Sequence, residues 1–425
     1  HDIINMRYIM TIHKTTEKLS KISGRFLPML LVIISLVSIS LSACSDTANE
    51  DIKPAAYGDY GSEFALKLAT TYPNRHSFSY QEKQAGEMIR DELISMGYEV
   101  ETQNFSVEGL SSQNYIVRIE GEGFMRRETD EKYLPIRKTV VIGAHYDTPQ
   151  PAFFEPAEGE ILPHYNGLQN NASGVAALMT FAKQAVNYNY AYDVVLVFFG
   201  ASSSNYAGSD FFLGSMDQEA FLSLEVMYCI ESIYAGDKLY ASSGRNSLEP
   251  GKKYEKRRKL YEAYDVVYDN MLNSKNGVDL LYNMSGAYVD VNGDSQVDIY
   301  REVTLTPSDH LPFDAKNVPV VFIESYDYNF PVVEQMKETK NLNLQRTGGF
   351  VRGTIQDSST LLLEEIGKEQ LEKRINNVAF ILLESVYKGS HNCVPTSSYD
   401  KGVRLDPIHT VEVAKDPRAK ETESE

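Results

Sequence analysis

The 425-residue chain contains no tryptophan and only three cysteines, and its 41 Lys and Arg are outnumbered by 59 Asp and Glu, for a formal net charge of −18. Phosphate backbones are held by clustered basic side chains, so this balance argues against a nucleic-acid partner. So few cysteines exclude a disulfide-dense scaffold. Cys229 sits in an apolar run and reads as a buried thiol, while Cys393 lies near the C-terminus; a bond between them is open to an extracellular protein. Internal repeats are absent, and beyond the first 44 residues there is no apolar run long enough to span a membrane. What remains is 42% hydrophobic, which is enough for one large core.

The N-terminus departs from this composition. Lys14, Lys18, Lys21 and Arg25 precede the apolar "FLPMLLVIISLVSISLSAC", which has the order of a secretory signal. Leu41-Ser42-Ala43-Cys44 resembles a bacterial lipobox. That resemblance implies cleavage before Cys44, lipidation of its thiol and an exported protein on the outer face of the cell membrane, since more than one acyl chain anchors stably. Residues 45–57 read as a polar tether, 58–396 as one domain and 397–425 as a polar tail.

Within that domain, "FALKLATTYPNR", "SYQEKQAGEMIRDELISMGYEV" and "SGVAALMTFAKQAV" have helical periodicity. The runs "YEVETQNF", "NYIVRIEG", "TVVIGAHYD", "YDVVLVFFG", "EVMYCIES" and "VPVVFIES" read as strands, and one long helix is expected over about 358–387. Apolar strands alternating with helices predict an α/β fold with a mostly parallel, mixed sheet sandwiched by helices. Insertions are expected near 149–166 and 244–303.

Strands of such a sheet deliver their C-terminal residues to the ligand site. Here three end in "GAHYDTP" (143–149), "GASSSN" (200–205) and "CIESIY" (229–234), joined by "PHYNGLQNNASGVAAL" and "SDHLPFDAKNVPVVFIES". These blocks, in this order, resemble the co-catalytic dizinc exopeptidase family. It includes bacterial leucyl-type aminopeptidases, glutamate carboxypeptidases, glutaminyl cyclases and the ectodomain of transferrin receptor. The resemblance covers almost the whole chain after the tether and implies a zinc-aminopeptidase-like fold. In that family two zincs polarise the scissile carbonyl and acidify a bridging water, and a Glu takes the proton.

Laid on this chain, the pattern keeps the first histidine ligand as His145 and the aspartate that orients it as Asp147. A later acidic ligand falls on Glu231. The bridging aspartate falls on Asn170, the general base on Ser202, the next ligand on Ser203 and the final histidine on Gly353, none of which has the required chemistry. No Asp occurs from Thr148 to Tyr192, no Glu from Ile161 to Gln218, and no His between His310 and His391, so these losses do not depend on where gaps are placed. A serine hydroxyl cannot act as the base. The expectation is therefore a pseudopeptidase that binds a peptide-like ligand or a protein partner, with no zinc or at most one held weakly by His145 and Glu231, with His164 or water. The alternative is an active one-metal aminopeptidase or cyclase-like hydrolase. Asp309 and His310 match the family's pocket wall.

Two other motifs carry less. "DVNGDSQVD" places oxygen donors at Asp290, Asn292, Asp294 and Asp298, but Ser295 stands where a calcium loop has glycine and Arg301 where it has an acid, so an Asn-Gly turn between strands is the preferred reading. "GASSSN" lacks the spacing of a serine-hydrolase elbow.

Overall fold

Two periodicities, near 3.6 in the helices and 2 in the strands, set the architecture. The computed structural model describes residues 53–156, 161–272, 280–281, 287–289, 298–300, 302–329 and 335–407. Cys44, the signal segment, and Asp290, Asn292 and Asp294 lie outside the described residues.

Helices α1 (Tyr60–Thr71) and α2 (Tyr80–Ser95) come first. Pro73 stops α1, because the residue before a proline is driven out of helical geometry. Ser79 starts α2: its hydroxyl accepts from Glu82 N at 3.0 Å, and the Glu82 carboxylate reaches back to Phe78 N, satisfying amides that a helix start leaves open.

Strands β1 (Val100–Val107), β2 (Leu110–Ile119), β3 (Phe124–Arg127), β4 (Tyr133–Ile136) and β5 (Thr139–His145) follow. Then come α3 (Ser173–Ala185), β6 (Asp193–Phe199), α4 (Ala207–Gly214), α5 (Gln218–Ser223), β7 (Leu224–Glu231), β8 (Lys238–Ser242) and α6 (Lys253–Asp269). The remainder is β9 (Leu280–Leu281), β10 (Ala287–Val289), β11 (Asp298–Tyr300), α7 (Leu311–Ala315), β12 (Val320–Tyr326), α8 (Ser359–Glu365), α9 (Lys368–Tyr387), β13 (Cys393–Pro395) and α10 (Thr396–Asp400).

The main sheet has the order β1-β2-β6-β5-β7-β12-β8-β9. Its centre is parallel: β5 pairs with β6 and β7, and β7 with β12. Antiparallel β2 and β8 flank it. This is the mixed, helix-covered sheet expected from the apolar runs. Alternate side chains enter opposite layers: Val194, Leu196 and Phe198 face the layer of α1, α3, α6 and α9, and Val195, Val197 and Phe199 the thinner layer of α4, α5 and α7. Each such side chain removed from water stabilises the fold by about 1.5–3 kcal/mol.

One expected element is corrected. The helix expected over 358–387 is two helices, broken at Ile366-Gly367, where Gly367 takes φ +95°, a conformation that other residues adopt only with strain. The Tyr234 hydroxyl donates to the carbonyls of Leu362 and Gly367 at 2.9 and 3.0 Å, closing the broken ends. β10 and β11 pair antiparallel, Val289 opposite Asp298; the connection between them lies outside the described residues. Residues 397–407, expected in the polar tail, begin with α10, and Leu405 N donates to the Tyr133 hydroxyl at 3.1 Å. Cys229 and Cys393 are both buried free thiols, so no disulfide links them.

Candidate functional site

Parallel β5, β6 and β7 bring His145, the 200–205 turn and Glu231 to one edge of the sheet, and residues 308–310, ahead of α7, come to the same edge. The side chains close a hydrogen-bonded circuit. His145 Nε2 lies 3.0 Å from Glu231 Oε2, and His145 Nδ1 lies 3.2 Å from Asp147 Oδ1 and 3.0 Å from the Asp147 carbonyl. Glu231 also accepts from the hydroxyls of Ser308 at 2.7 Å and Ser232 at 2.6 Å. Next to Ser308, Asp309 Oδ2 accepts from Ser202 Oγ at 2.7 Å, and Ser202 N donates back to Asp147 Oδ1 at 3.0 Å. Asp147 Oδ2 takes Ser203 N at 2.9 Å and Ser77 Oγ at 2.8 Å.

Charge follows from this geometry. Burial works against a protonated His145, but the Glu231 and Asp147 carboxylates outweigh it and push its pKa well above 6.5. Burial alone would raise Glu231, yet His145 holds it at about 2, and Asp147 is lowered by His145 and its amide and hydroxyl donors against the same penalty. The unit is an imidazolium between two carboxylates, with both ring nitrogens donating. Burial lifts Asp309 to about 6, and its Oδ1 has no partner. His310 turns the other way: it packs on Phe322 with ring centres 4.7 Å apart, and burial lowers it to about 3. The expected pocket-wall pair is thus divided, with Asp309 in the circuit and His310 in the thinner layer.

The second half of the site is built around residues 168–172. Asn171 brackets Glu231: its Nδ2 donates to Ile230 O at 2.9 Å and its Oδ1 accepts from Ser232 N at 2.8 Å. Asn170 therefore runs alongside Glu231. Its N donates to Asp357 Oδ2 at 2.9 Å, and its own Oδ1 is buried without a partner. Asp357 also accepts from Gln169 N at 2.7 Å; burial lifts its pKa to about 7. The Gln169 amide bridges Ser232 O, Ser325 Oγ and Glu338. Glu338 in turn accepts from the amides of Val351 and Arg352, while the Arg352 guanidinium meets Glu324 at 2.9 Å. Gly353, the position of the final histidine in the family pattern, has φ +67°, and its carbonyl accepts from Ala152 N at 2.9 Å. Ser203 and His164 are exposed.

Arg75 fastens the two halves together. Fully buried, it donates to the carbonyls of Tyr146 (2.7 Å), Asn166 (2.7 Å) and Gly167 (2.7 Å), with Tyr72 at 3.2 Å. Ser77, Ser308, Arg352, Asp357 and Arg75 were not singled out from the sequence. Each acts through a partner distant along the chain, and only the Ser308-Asp309-His310 block carried a local signal.

The donor set does not suit a pair of zinc ions. A metal needs a free imidazole lone pair and three or four protein ligands. Beside His145 and Glu231, the residues Asn170, Ser203 and Gly353 add no anionic or imidazole donor. Among the described residues no cluster of three or more His, Cys, Asp or Glu side chains could hold a metal ion. The residues present do not fit the dizinc pattern. Ser202, at the base position, is itself a donor.

Comparison with known proteins gives a consistent picture. Residues 125–343 match the family model of peptidase family M28. The alkaline phosphatase isozyme conversion protein of Escherichia coli (strain K12) is 22% identical over 209 residues, 48% of this chain and 59% of that protein; the chain thus spans under two thirds of that relative. Among solved structures, a glutaminyl cyclase from Fimbriiglobus ruber aligns over 81% of this chain and 98% of its own, with 16% identity and a TM-score of 0.51. A Zn-dependent exopeptidase from Parabacteroides distasonis aligns over 78% and 98%, with 16% identity and a TM-score of 0.50. A zinc aminopeptidase from Bacillus subtilis aligns over 79% and 96%, with 11% identity and a TM-score of 0.50. These structures establish the shared fold.

Proposed function

The chain belongs to peptidase family M28, and on that premise we propose that it is a non-hydrolysing member, exported and lipid-anchored, whose cleft binds a peptide-like ligand or a protein partner. The observation that carries this reading is the donor set: Asn170, Ser202, Ser203 and Gly353 stand where the family pattern has a bridging carboxylate, a general base, an acidic ligand and an imidazole, which leaves only His145 and Glu231 as ligand chemistry. Two such ligands fall short of the three or four that zinc takes from a protein. The Ser202 hydroxyl, held on Asp309, has no tendency to abstract a proton from water. The circuit instead offers a charged, hydrogen-bonded floor on which a ligand's polar groups can be matched.

Elemental analysis of dialysed protein should find less than one zinc per chain; two would overturn the reading. Ser202→Glu, assayed on aminoacyl-anilides with added zinc, should show no turnover, because a base without a metal-bound water has nothing acidic to deprotonate. For location, Cys44→Ser should abolish fatty-acid labelling and leave an unprocessed or shed form. Wild-type protein that takes up no label and fractionates with the cytoplasm would remove the export part of the proposal and leave the cleft reading intact.

A further inference from the structure

A second cavity of about 830 Å³ lies at the opposite edge of the main sheet. It is bounded by the end of β2, the 188–191 segment before β6, the last residue of α9 and the 395–401 stretch. β6 runs from this cavity toward the His145 circuit, and at about 3.3 Å per residue its seven residues put some 20 Å between the two. The volume is within the range of roughly 300–1,000 Å³ typical of small-molecule sites.

We propose that this cavity binds a neutral oligosaccharide. The proposal is independent of how the cleft is read. Its aromatic side is Tyr387 and the half-buried Tyr188, which meet edge-on with centroids 6.0 Å apart; the buried Tyr190, stacked on Tyr188 at 5.6 Å with planes at 4°, backs them from the core. Tyr387 is 61% exposed at the end of α9, so an aromatic ring there is open to a sugar ring. Around it stand groups suited to hydroxyls: the Glu120 and Glu122 carboxylates as acceptors, Lys401 as a donor and Asn189 as both. The two carboxylates disfavour an anionic ligand, and the polar rim disfavours a purely apolar one.

The cavity is pre-formed by the main chain. Glu122 N donates to Tyr190 O at 2.9 Å, Gly123 N to Ala191 O at 3.0 Å, and Thr396 N to Gly123 O at 3.2 Å. Ser397 Oγ donates to Glu122 Oε1 at 3.0 Å, fixing one acceptor. Three of the four bounding segments are thus tied together before any ligand arrives, which lowers the ordering cost of binding.

The test uses saturation-transfer NMR on the full chain with maltotriose, cellotriose and triacetylchitotriose as probes. At least one should receive saturation from tyrosine protons, and titration should give a saturable curve. Tyr387→Ala should weaken binding at least about tenfold, equivalent to about 1.4 kcal/mol, while Tyr387→Phe, which keeps the ring, should bind within a few-fold of wild type. Circular dichroism melting confirms that each variant is folded. Should Tyr387→Ala fail to fold, the exposed Asn189→Ala, expected to weaken binding several-fold, takes its place. No transfer to any of the three trisaccharides, or transfer unchanged by the folded variant, would overturn the proposal.

Discussion

The two halves of the cleft differ in how their polar atoms are satisfied. Around His145, each buried carboxylate has at least one donor, from an imidazolium between Asp147 and Glu231, serine hydroxyls and amides, and Asp309 Oδ1 alone among their oxygens has none. Around Asn170 the supports are intact, but Asn170 Oδ1 and Arg352 Nη1 are buried with no partner. The first half has become a self-contained electrostatic unit. The second is a hydrogen-bonded scaffold around an amide oxygen that has no donor. What separates them is the kind of cation: an imidazolium lies between Asp147 and Glu231 in the first half, and the Arg352 guanidinium faces Glu324 and Glu338 in the second.

The strongest way to break this contrast is Asp147→Ala. It leaves the buried imidazolium facing one carboxylate where it had two, and leaves Ser202 N, Ser203 N and Ser77 Oγ without their acceptor. Removing one partner of a buried pair costs about 3–5 kcal/mol, a large share of a domain stability of about 5–15 kcal/mol. Urea denaturation should show the loss, and a cost under about 1 kcal/mol would mean the circuit is not a unit. The second half is probed by pH. Asp357 is raised from 3.8 to about 7 on folding, so the native state holds the extra proton. Its contribution is full below the unfolded value and declines as pH rises through about 7, by no more than about 4 kcal/mol at 1.36 kcal/mol per unit. Asp357→Asn should flatten that slope in melts between pH 4 and 8; an unchanged slope assigns it to another group.

Much of this arrangement was legible in the chain. The central strands are apolar on both faces, so β5, β6, β7 and β12 appear as continuous hydrophobic runs, and His145, Asp147 and Glu231 fall at their ends. The break at Gly367 was hidden because the apolar periodicity of α8 continues into α9 and a lone glycine gives no clear stop. The remainder of the site was hidden for a different reason. Asp357 meets Asn170 across 187 residues, Ser308 meets Glu231 across 77, and Ser77 meets Asp147 across 70. No local pattern marks a hydroxyl or carboxylate whose partner is that remote.

Two smaller effects sharpen the comparison. Gly353→His restores the family's residue at a backbone of φ +67° and should cost about 1–2 kcal/mol without creating zinc binding, as measured by thermal melts and elemental analysis. Recovery of a tightly bound zinc would show that the second half needs one ligand and not three. The smallest expected effect is none: zinc chloride or EDTA should leave the melting midpoint unchanged, because a ligand stabilises only what it binds. A rise with zinc would mean that the His145–Glu231 bond yields to metal.

Arg75 has a consequence for the order of assembly. Its bonds to Tyr146, Asn166 and Gly167 span 71, 91 and 92 residues. Closing loops of that length is entropically slow, and contacts so remote tend to form late. The cleft is therefore expected to be the last part of the molecule to lock, after β5 and β6 have paired, with one guanidinium from the connection between α1 and α2 acting as the latch. Pulse-labelling hydrogen exchange during refolding should then show the amides of residues 166–171 gaining protection after those of β5, and a chain interrupted before that step would expose the unsecured loop to proteases while its sheet is already in place.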